Sequence, residues 1–157
     1  MIFIVLGTHE LPFTRLLQEV ETLIDKGTIQ DDVIAQCGHT KFQSKHMVLH
    51  DFLSYDKMDE LYDTADIIIT HGGTGSIISG LKKRKKMIAA ARLKKYGEHN
   101  DDHQREIIGQ FVNSNYLLEW SEELDLGEVI KKAQGFQPEP FEGGRDKILD
   151  IIRKFIS

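Results

Sequence analysis

A glycine-rich run, His71-Gly72-Gly73-Thr74-Gly75-Ser76, is where residue types and spacing point most directly to chemistry. It follows an apolar segment, Ala65–Thr70, and precedes a helical pattern. Glycines at such a turn let the backbone approach a ligand closely, and the free N–H groups of a helix N-terminus bind anions such as a diphosphate. The alternative is a tight turn that needs glycine for geometry alone. The spacing matches neither Gly-x-Gly-x-x-Gly nor the P-loop, which disfavours dinucleotide and ATP binding.

A polar run, Glu98-His99-Asn100-Asp101-Asp102-His103-Gln104, leads from a loop-like segment into another helical pattern. Its carboxylate and amide groups can hydrogen-bond the hydroxyls of a sugar. His99, Asp101, Asp102 and His103 are also of the types that bind metals, but no zinc motif such as His-Glu-x-x-His is present, so we predict no metal site. A solvated helix start capped by Asp102 is the third interpretation.

Positive charge is concentrated on both sides of an apolar segment at residues 87–91. Lys82–Lys86 precede this segment, and Arg92, Lys94 and Lys95 follow it. If the segment is a strand, the later group lies at its carboxyl end and could contact phosphates, while the earlier group lies at the opposite end, facing a membrane or a partner. A solvated helix end and loop is the alternative. No aromatic residue lies between these charges, which disfavours nucleic-acid binding.

Two histidines follow the first two apolar segments of the chain. His9 comes after Gly7-Thr8, and His39 comes after Gly38. Each could face a ligand, although a loop histidine with purely local contacts is the alternative. His9 is the candidate for a phosphate or acceptor contact and for a catalytic base within the chain.

Apolar segments of strand length alternate with helical patterns along the whole chain. We predict strands at residues 2–6, 33–36, 46–51, 65–70, 87–91 and 116–119. We predict helices after Pro12, Ser54, Ser76, Asp102 and Ser121, and a last one carrying the apolar stripe from Ile148 to Ile156. This alternation predicts an α/β, Rossmann-like fold, in which a parallel sheet carries helices on both faces. A length of 157 residues favours one domain, residues 1–157.

The predicted sheet restricts where a ligand can bind. In open parallel sheets, ligands bind beyond the carboxyl ends of the strands. This rule selects three stretches: Gly7-Thr8-His9, Gly38-His39 and His71–Ser76.

The bulk composition is that of an ordinary soluble globular protein. Hydrophobic residues make up 40% of the chain and charged residues 29%, and the net charge of −5 gives no global attraction to nucleic acid. One cysteine, Cys37, excludes an internal disulfide and fits a reducing compartment. The apolar start, Ile2–Leu6, is too short for a signal peptide, and no stretch approaches the roughly 20 apolar residues of a spanning helix. We therefore expect a cytoplasmic protein that reaches a membrane only through another molecule.

Four segments resemble, in their order, the C-terminal domain of glycosyltransferase family 28. They are Phe3–Thr8, Gln36–Gly38, Ala65–Ser76 and Asn100–Gln104. Within this family the chain is most similar to the small catalytic subunits of two-part bacterial capsule and exopolysaccharide transferases. It is more distantly similar to the eukaryotic subunit that adds the second N-acetylglucosamine to a dolichol-linked sugar.

The resemblance implies one half of a GT-B fold and an inverting transfer from a UDP-sugar, with no metal or other cofactor. It also implies a membrane-associated partner subunit that holds a lipid-linked acceptor and supplies the general base. The implied donor site has three parts. The diphosphate contacts are Gly7, Thr8, Gly73, Thr74, Gly75 and Ser76; the sugar contacts are His103 and Gln104; additional contacts are Glu98 and His99. From their positions in the sequence we add Gly72, Arg92 and Asp102 to the candidate donor site.

One position departs from the family pattern. Many relatives have a glutamate shortly after the glycine turn, where it binds the ribose hydroxyls, whereas this chain has Ser79. Ribose recognition must therefore differ here, and the choice of uridine is less strongly indicated. The stretch Lys94–His99 resembles the capsule-type subunits, which favours galactose or N-acetylglucosamine as the transferred sugar.

Two other classes of function fit the same sequence. A non-catalytic nucleotide-binding or regulatory module would account for the missing ribose carboxylate. An interaction protein would use its last helix and Lys82–Lys86 to bind a membrane-anchored partner.

Overall fold

A computed structural model describes residues 1–140 as alternating strands and helices. The strands are β1 (Ile2–Val5), β2 (Val33–Gln36), β3 (Val48–His50), β4 (Ile67–His71), β5 (Lys86–Ala90) and β6 (Leu118–Trp120). The helices are α1 (Thr14–Asp25), α2 (Tyr55–Thr64), α3 (Thr74–Lys82), α4 (His103–Asn113) and α5 (Leu126–Gly135), with a 3-10 turn at Lys94–Tyr96. The predicted last helix lies outside the described residues.

The six strands form one parallel sheet in the order β3-β2-β1-β4-β5-β6. Ile2 of β1 pairs with Val33 on one side and with Ile67 on the other. The direction of winding therefore reverses between β1 and β4, and in such sheets a ligand crevice opens at this point, beyond the carboxyl ends of the strands. The predicted α/β, Rossmann-like fold is confirmed.

The sheet separates two apolar layers, and β1 contributes to both because successive strand residues point to opposite faces. Ile2 and Ile4 pack in the layer formed with α1 and α5. Phe3 and Val5 pack in the layer formed with α2, α3 and α4. This double burial explains why β1 is a continuous apolar run instead of an alternating one.

The element boundaries follow the predictions closely in the first half of the chain. The predicted strand at Val33–Gln36 matches β2, and Ser54 caps α2 by accepting a hydrogen bond from the Lys57 N–H at 3.2 Å. Asp102 occupies the cap position of α4, but its carboxylate accepts from the N–H of Lys94 at 2.9 Å.

The predicted helix start at Ser121 is wrong. Ser121 accepts a hydrogen bond from the Leu124 N–H at 2.9 Å, which closes a turn. Helix α5 begins at Leu126, where the Asp125 side chain caps it by accepting from the Gly127 N–H at 3.1 Å. Ser121 and Asp125 are both good cap residues, and the packing of the helix in the fold places its start after Asp125. The loop predicted from Gln134 begins only after Gly135, where α5 ends.

No helix within residues 1–140 combines the length and apolar character needed to cross a membrane.

Candidate functional site

A cavity of about 920 Å³ opens where the winding of the sheet reverses. The loops after β1 and β4 line one part of it, and the facing surfaces of α2 and α3 line the rest. Seven residues of the predicted site line this cavity: Gly7, Thr8, His9, Gly73, Gly75, Ser76 and Gln104.

The imidazole of His71, the last residue of β4, packs between two glycines on different loops. A Cβ atom at Gly7 would lie 2.4 Å from Nε2 of this ring, and one at Gly73 would lie 2.3 Å from its Cε1. Gly7 also has a φ of +77°, which favours glycine. Both positions therefore require glycine, and His71 determines how closely the two loops approach each other.

Gln104 at the start of α4 fixes the orientation of the His71 ring. Its side-chain oxygen accepts from the N–H groups of Gly72 and Arg92, both at 3.0 Å. Its side-chain nitrogen is therefore the atom that lies 3.3 Å from Nδ1 of His71. Since an amide nitrogen only donates, Nδ1 accepts, and the ring carries its proton on Nε2.

The proton on Nε2 is directed at the first turn of α3. Nε2 of His71 lies 3.2 Å from Oγ of Ser76 and donates to it. Burial, and then the positive charge of Arg92, lower the pKa of His71 to about 3. The ring is therefore neutral at pH 7 and contributes a fixed hydrogen bond without a charge.

Helix α3 begins beside this ring without a side-chain cap. Its cap residue, Gly73, has no side chain that could accept from the first N–H groups. These groups have no partner within a helix and carry the positive end of the helix dipole. Gly75 and Ser76 line the cavity. The turn therefore presents an anion-binding surface to the open space.

The loop after β1 is held in place by Gln36 from the end of β2. The Gln36 side chain accepts from the Gly7 N–H at 3.0 Å and donates to the Gly7 carbonyl at 2.9 Å. It thus replaces the strand pairing that ends there. From the sequence, Gln36 is recognisable only as part of the Gln36–Gly38 motif, and the signal for its role is an amide directly before Cys37-Gly38.

His9 and His99 lie together at the edge of the cavity. Their ring centroids are 4.4 Å apart, and only His9 lines the cavity. Burial, and then the neighbouring His99, lower the pKa of His9. The neutral form of His9, which can accept a proton, is therefore favoured at pH 7.

Arg92 and Glu98 lie beneath the site and do not line the cavity. The expectation that they contact the ligand directly is therefore not met. Arg92 is 0% exposed, and its guanidinium donates to the carbonyls of Leu6 at 2.6 Å and Leu11 at 2.7 Å. Burial lowers the pKa of Arg92 to about 10, so the group stays charged at pH 7. Buried Glu98 pairs with Arg15 at 3.0 Å. The two residues support the loops after β1 and β5 from below.

The remaining predicted residues do not line the cavity. Gly72 and Thr74 flank Gly73 in the backbone of the turn, and Asp102 is bound to the Lys94 N–H. His103 is 67% exposed and lies 3.6 Å from Asp101. The structure therefore gathers the glycine loops and Gln104 into one site, with His103 outside it.

The far part of the cavity is apolar, and its residues were not among the predicted site residues. Phe52 and Leu53, which follow β3, line it together with Tyr55 and Met58 of α2. Tyr55 is 83% exposed, so a planar apolar surface faces solvent at the cavity entrance. Because the strands are parallel, the carboxyl end of β3 lies at the same end of the sheet as the carboxyl ends of β1 and β4. The residues that follow the third predicted strand were therefore the signal available in the sequence.

Lys82–Lys86 lie at the amino end of β5, as predicted, but Lys82 and Lys83 also line the cavity. The reason is that the cavity continues along the groove between α2 and α3. Lys83 forms ion pairs across this groove with Asp59 and Asp63, at 3.0 and 2.6 Å. Within residues 1–140, no group of three side chains is arranged to hold a metal ion.

Comparisons with known proteins agree with this architecture. Residues 1–154 match the glycosyltransferase family 28 C-terminal domain. The UDP-N-acetylglucosamine transferase subunit ALG13 of Candida albicans is 32% identical over 84 residues, which are 54% of this chain and 27% of that protein. The Candida glabrata subunit of the same name is 25% identical over 126 residues, which are 77% of this chain and 59% of that protein. The chain thus spans less than two thirds of the length of these curated relatives.

Solved glycosyltransferase structures share the fold. A solution structure of ALG13 has a TM-score of 0.57 at 22% identity and covers 89% of this chain and 88% of that one. Acinetobacter baumannii MurG has a TM-score of 0.55 at 16% identity and covers 94% of this chain and 49% of that one. The neighbours are GT-B glycosyltransferase domains, and the family match extends over nearly the whole sequence. The chain therefore belongs to the glycosyltransferase family 28 C-terminal domain family.

Proposed function

We propose that this chain binds the donor of an inverting glycosyltransferase, a UDP-sugar, and transfers the sugar together with a partner subunit. The observation that carries the proposal is the polarity of the cavity. One part presents uncapped N–H groups at the start of α3, and the far part is apolar and aromatic. A nucleoside diphosphate has the same pattern, with an anionic end that favours a helix N-terminus and a planar base that favours aromatic contact.

The contribution of this donor-binding chain to catalysis would be mainly to stabilise the leaving group. The acceptor hydroxyl attacks the anomeric carbon, the bond from that carbon to the diphosphate oxygen breaks, and UDP departs with the electron pair. The preorganised backbone N–H groups in the first turn of α3, at Gly75 and Ser76, stabilise the charge that develops on UDP. The buried positive charge of Arg92 adds to the same field.

A base must take the proton of the acceptor hydroxyl. We assign this role to the partner subunit, with His9 as the alternative within the chain, because its lowered pKa favours the proton-accepting form. We propose Gln104 as the contact to the sugar, because among residues 98–104 it is the one that lines the cavity. His99, Asp102 and His103 are proposed as contacts made when the partner closes the cleft.

The sugar and the partner are inferred from the relatives. The curated relatives are named as subunits of a UDP-N-acetylglucosamine transferase, which supports both a partner and an N-acetylglucosamine donor. Galactose is the second candidate. We propose a membrane-associated partner that holds a lipid-linked acceptor, a role in capsule or exopolysaccharide synthesis, and a location at the inner face of the membrane through that partner.

A transfer assay tests this proposal. The purified chain is incubated with labelled UDP-N-acetylglucosamine or UDP-galactose and a lipid-linked acceptor, with and without membranes that contain the partner subunit. We expect labelled lipid only when both proteins are present. Transfer by the chain alone would contradict the dependence on a partner. Nucleotide binding without transfer in the complete system would favour the alternative function, a non-catalytic regulatory module. Ser79, in place of the glutamate that binds the ribose in many relatives, is the sequence feature that suggests this alternative.

A further inference from the structure

We propose that Asp59 recognises the ribose of the bound nucleotide and makes the site selective for ribonucleotides. This inference rests on the proposed function, because it assigns one residue of the same cavity to one part of the donor. It starts from the chemistry of the ribose, whose two adjacent hydroxyls both donate hydrogen bonds. A carboxylate, with about four acceptor sites, can accept from both hydroxyls at once.

Ser79 does not supply this function. It lines the cavity on α3, but its hydroxyl already donates to the carbonyl of Gly75 at 2.9 Å within the same helix. With its proton used in this way, the Ser79 hydroxyl can only accept hydrogen bonds, and its oxygen carries no negative charge. The ribose would therefore gain only neutral hydrogen bonds from Ser79.

Asp59 is the one carboxylate among the cavity-lining residues in the described part of the chain. It lies on α2 four residues after Tyr55 and three before Tyr62, and residues with these spacings share one helix face. Tyr55 belongs to the apolar part of the cavity, while the Tyr62 hydroxyl donates to the carbonyl of Ser76 at 3.0 Å. Asp59 thus lies between the base end and the diphosphate end, as the ribose does in a nucleotide.

Lys83 holds the Asp59 carboxylate at the groove. Its Nζ lies 3.0 Å from Oδ1 of Asp59, so the carboxylate is held against the last turn of α3. Ser79 lies one turn earlier on that helix. The ion pair uses one acceptor site of the carboxylate and leaves the others for a ligand.

Asp63 provides a matched control for this arrangement. It is also on α2 and also pairs with Lys83, at 2.6 Å, but it does not line the cavity. Replacing either aspartate by alanine removes one charge and one ion pair to the same lysine. Only Asp59→Ala should alter how the ribose is recognised.

Calorimetric titration with UDP and with 2′,3′-dideoxy-UDP tests the proposal. We expect the unmodified chain and Asp63→Ala to bind UDP at least about tenfold more tightly than the dideoxy compound, the size expected for charge-assisted hydrogen bonds. In Asp59→Ala this preference should disappear through weaker UDP binding. Adding Ser79→Glu to Asp59→Ala should restore the preference, since it places a carboxylate on the facing helix.

The outcomes distinguish a failure of the role of Asp59 from a failure of the proposed UDP binding. If Asp59→Ala keeps the full preference, or if the unmodified chain shows none, the role of Asp59 is overturned while UDP binding stands. If the unmodified chain binds neither compound, the proposed function fails and this inference fails with it. Equal effects of Asp59→Ala and Asp63→Ala would assign both aspartates to holding Lys83 and would also overturn the proposal.

Discussion

The side-chain nitrogen of Gln104 lies 3.3 Å from Nδ1 of His71, and this contact determines which ring nitrogen carries the proton. The opposite nitrogen then donates to Ser76 in the first turn of α3. One amide on α4 thereby orients a ring on β4, and that ring orients the turn that faces the cavity.

The tautomer of His71 is directly measurable. Nitrogen chemical shifts in a long-range proton–nitrogen spectrum should report a proton on Nε2 in the unmodified chain. Gln104→Glu keeps an oxygen for the N–H groups of Gly72 and Arg92 but removes the donor to Nδ1. We therefore expect the proton to move to Nδ1 in this variant. An unmodified chain with its proton on Nδ1 would contradict the assigned hydrogen bonds.

The lowered pKa of His71 makes stability depend on pH. Folding holds this pKa at about 3, against 6.5 for an ordinary histidine, so below pH 6.5 the unfolded chain binds a proton that the folded chain does not. Stability should thus fall as pH drops from 6.5 toward 3, by about 1 kcal/mol per pH unit from this group. The measurement is urea unfolding at several pH values.

His71→Gln provides the comparison, because it removes the titrating group at the same position. The variant should lose stability less steeply between pH 6.5 and 5 than the unmodified chain. Identical slopes for the two proteins would show that His71 does not titrate in the expected way.

Arg92 should be important for stability despite its position beside the cavity. Arg92→Met leaves the carbonyls of Leu6 and Leu11 buried without donors, at a cost of about 1–3 kcal/mol each. We expect the free energy of unfolding, from urea titration, to fall by about 2–6 kcal/mol, the sum for the two carbonyls. Arg105→Met is the control: this half-exposed arginine lies 3.9 Å from Glu122, and the change should stay within about 0.5 kcal/mol. Equal effects of the two substitutions would contradict the supporting role of Arg92.

Local patterns were sufficient to predict the order of the elements and the glycine turn. Residues 33–35 are an apolar run between polar segments, and the turn after β4 is visible as three glycines in four residues. The start of α5 was not predictable in the same way. Ser121 and Asp125 are both good caps, and packing against the sheet decided between them.

The supporting residues of the site depend on contacts between distant parts of the chain. Arg92 binds the carbonyl of Leu6, 86 residues earlier, and no local pattern indicates that a charged side chain will be buried there. His71 was recognised only as the first residue of a motif, since its contact with Gly7 requires knowing that β1 and β4 are neighbours. Asp59 became a candidate only when α2 was seen to border the cavity.

The central claim is that a diphosphate binds at the start of α3, and calorimetric titration with UDP tests it most directly. Gly73→Ala places a Cβ 2.3 Å from the His71 ring, whereas Gly109→Ala, on α4, adds a Cβ that meets nothing within 4 Å. We predict saturable UDP binding by the unmodified chain and by Gly109→Ala, and binding at least about tenfold weaker by Gly73→Ala. Undiminished binding by Gly73→Ala, or no binding by the unmodified chain, would contradict the claim.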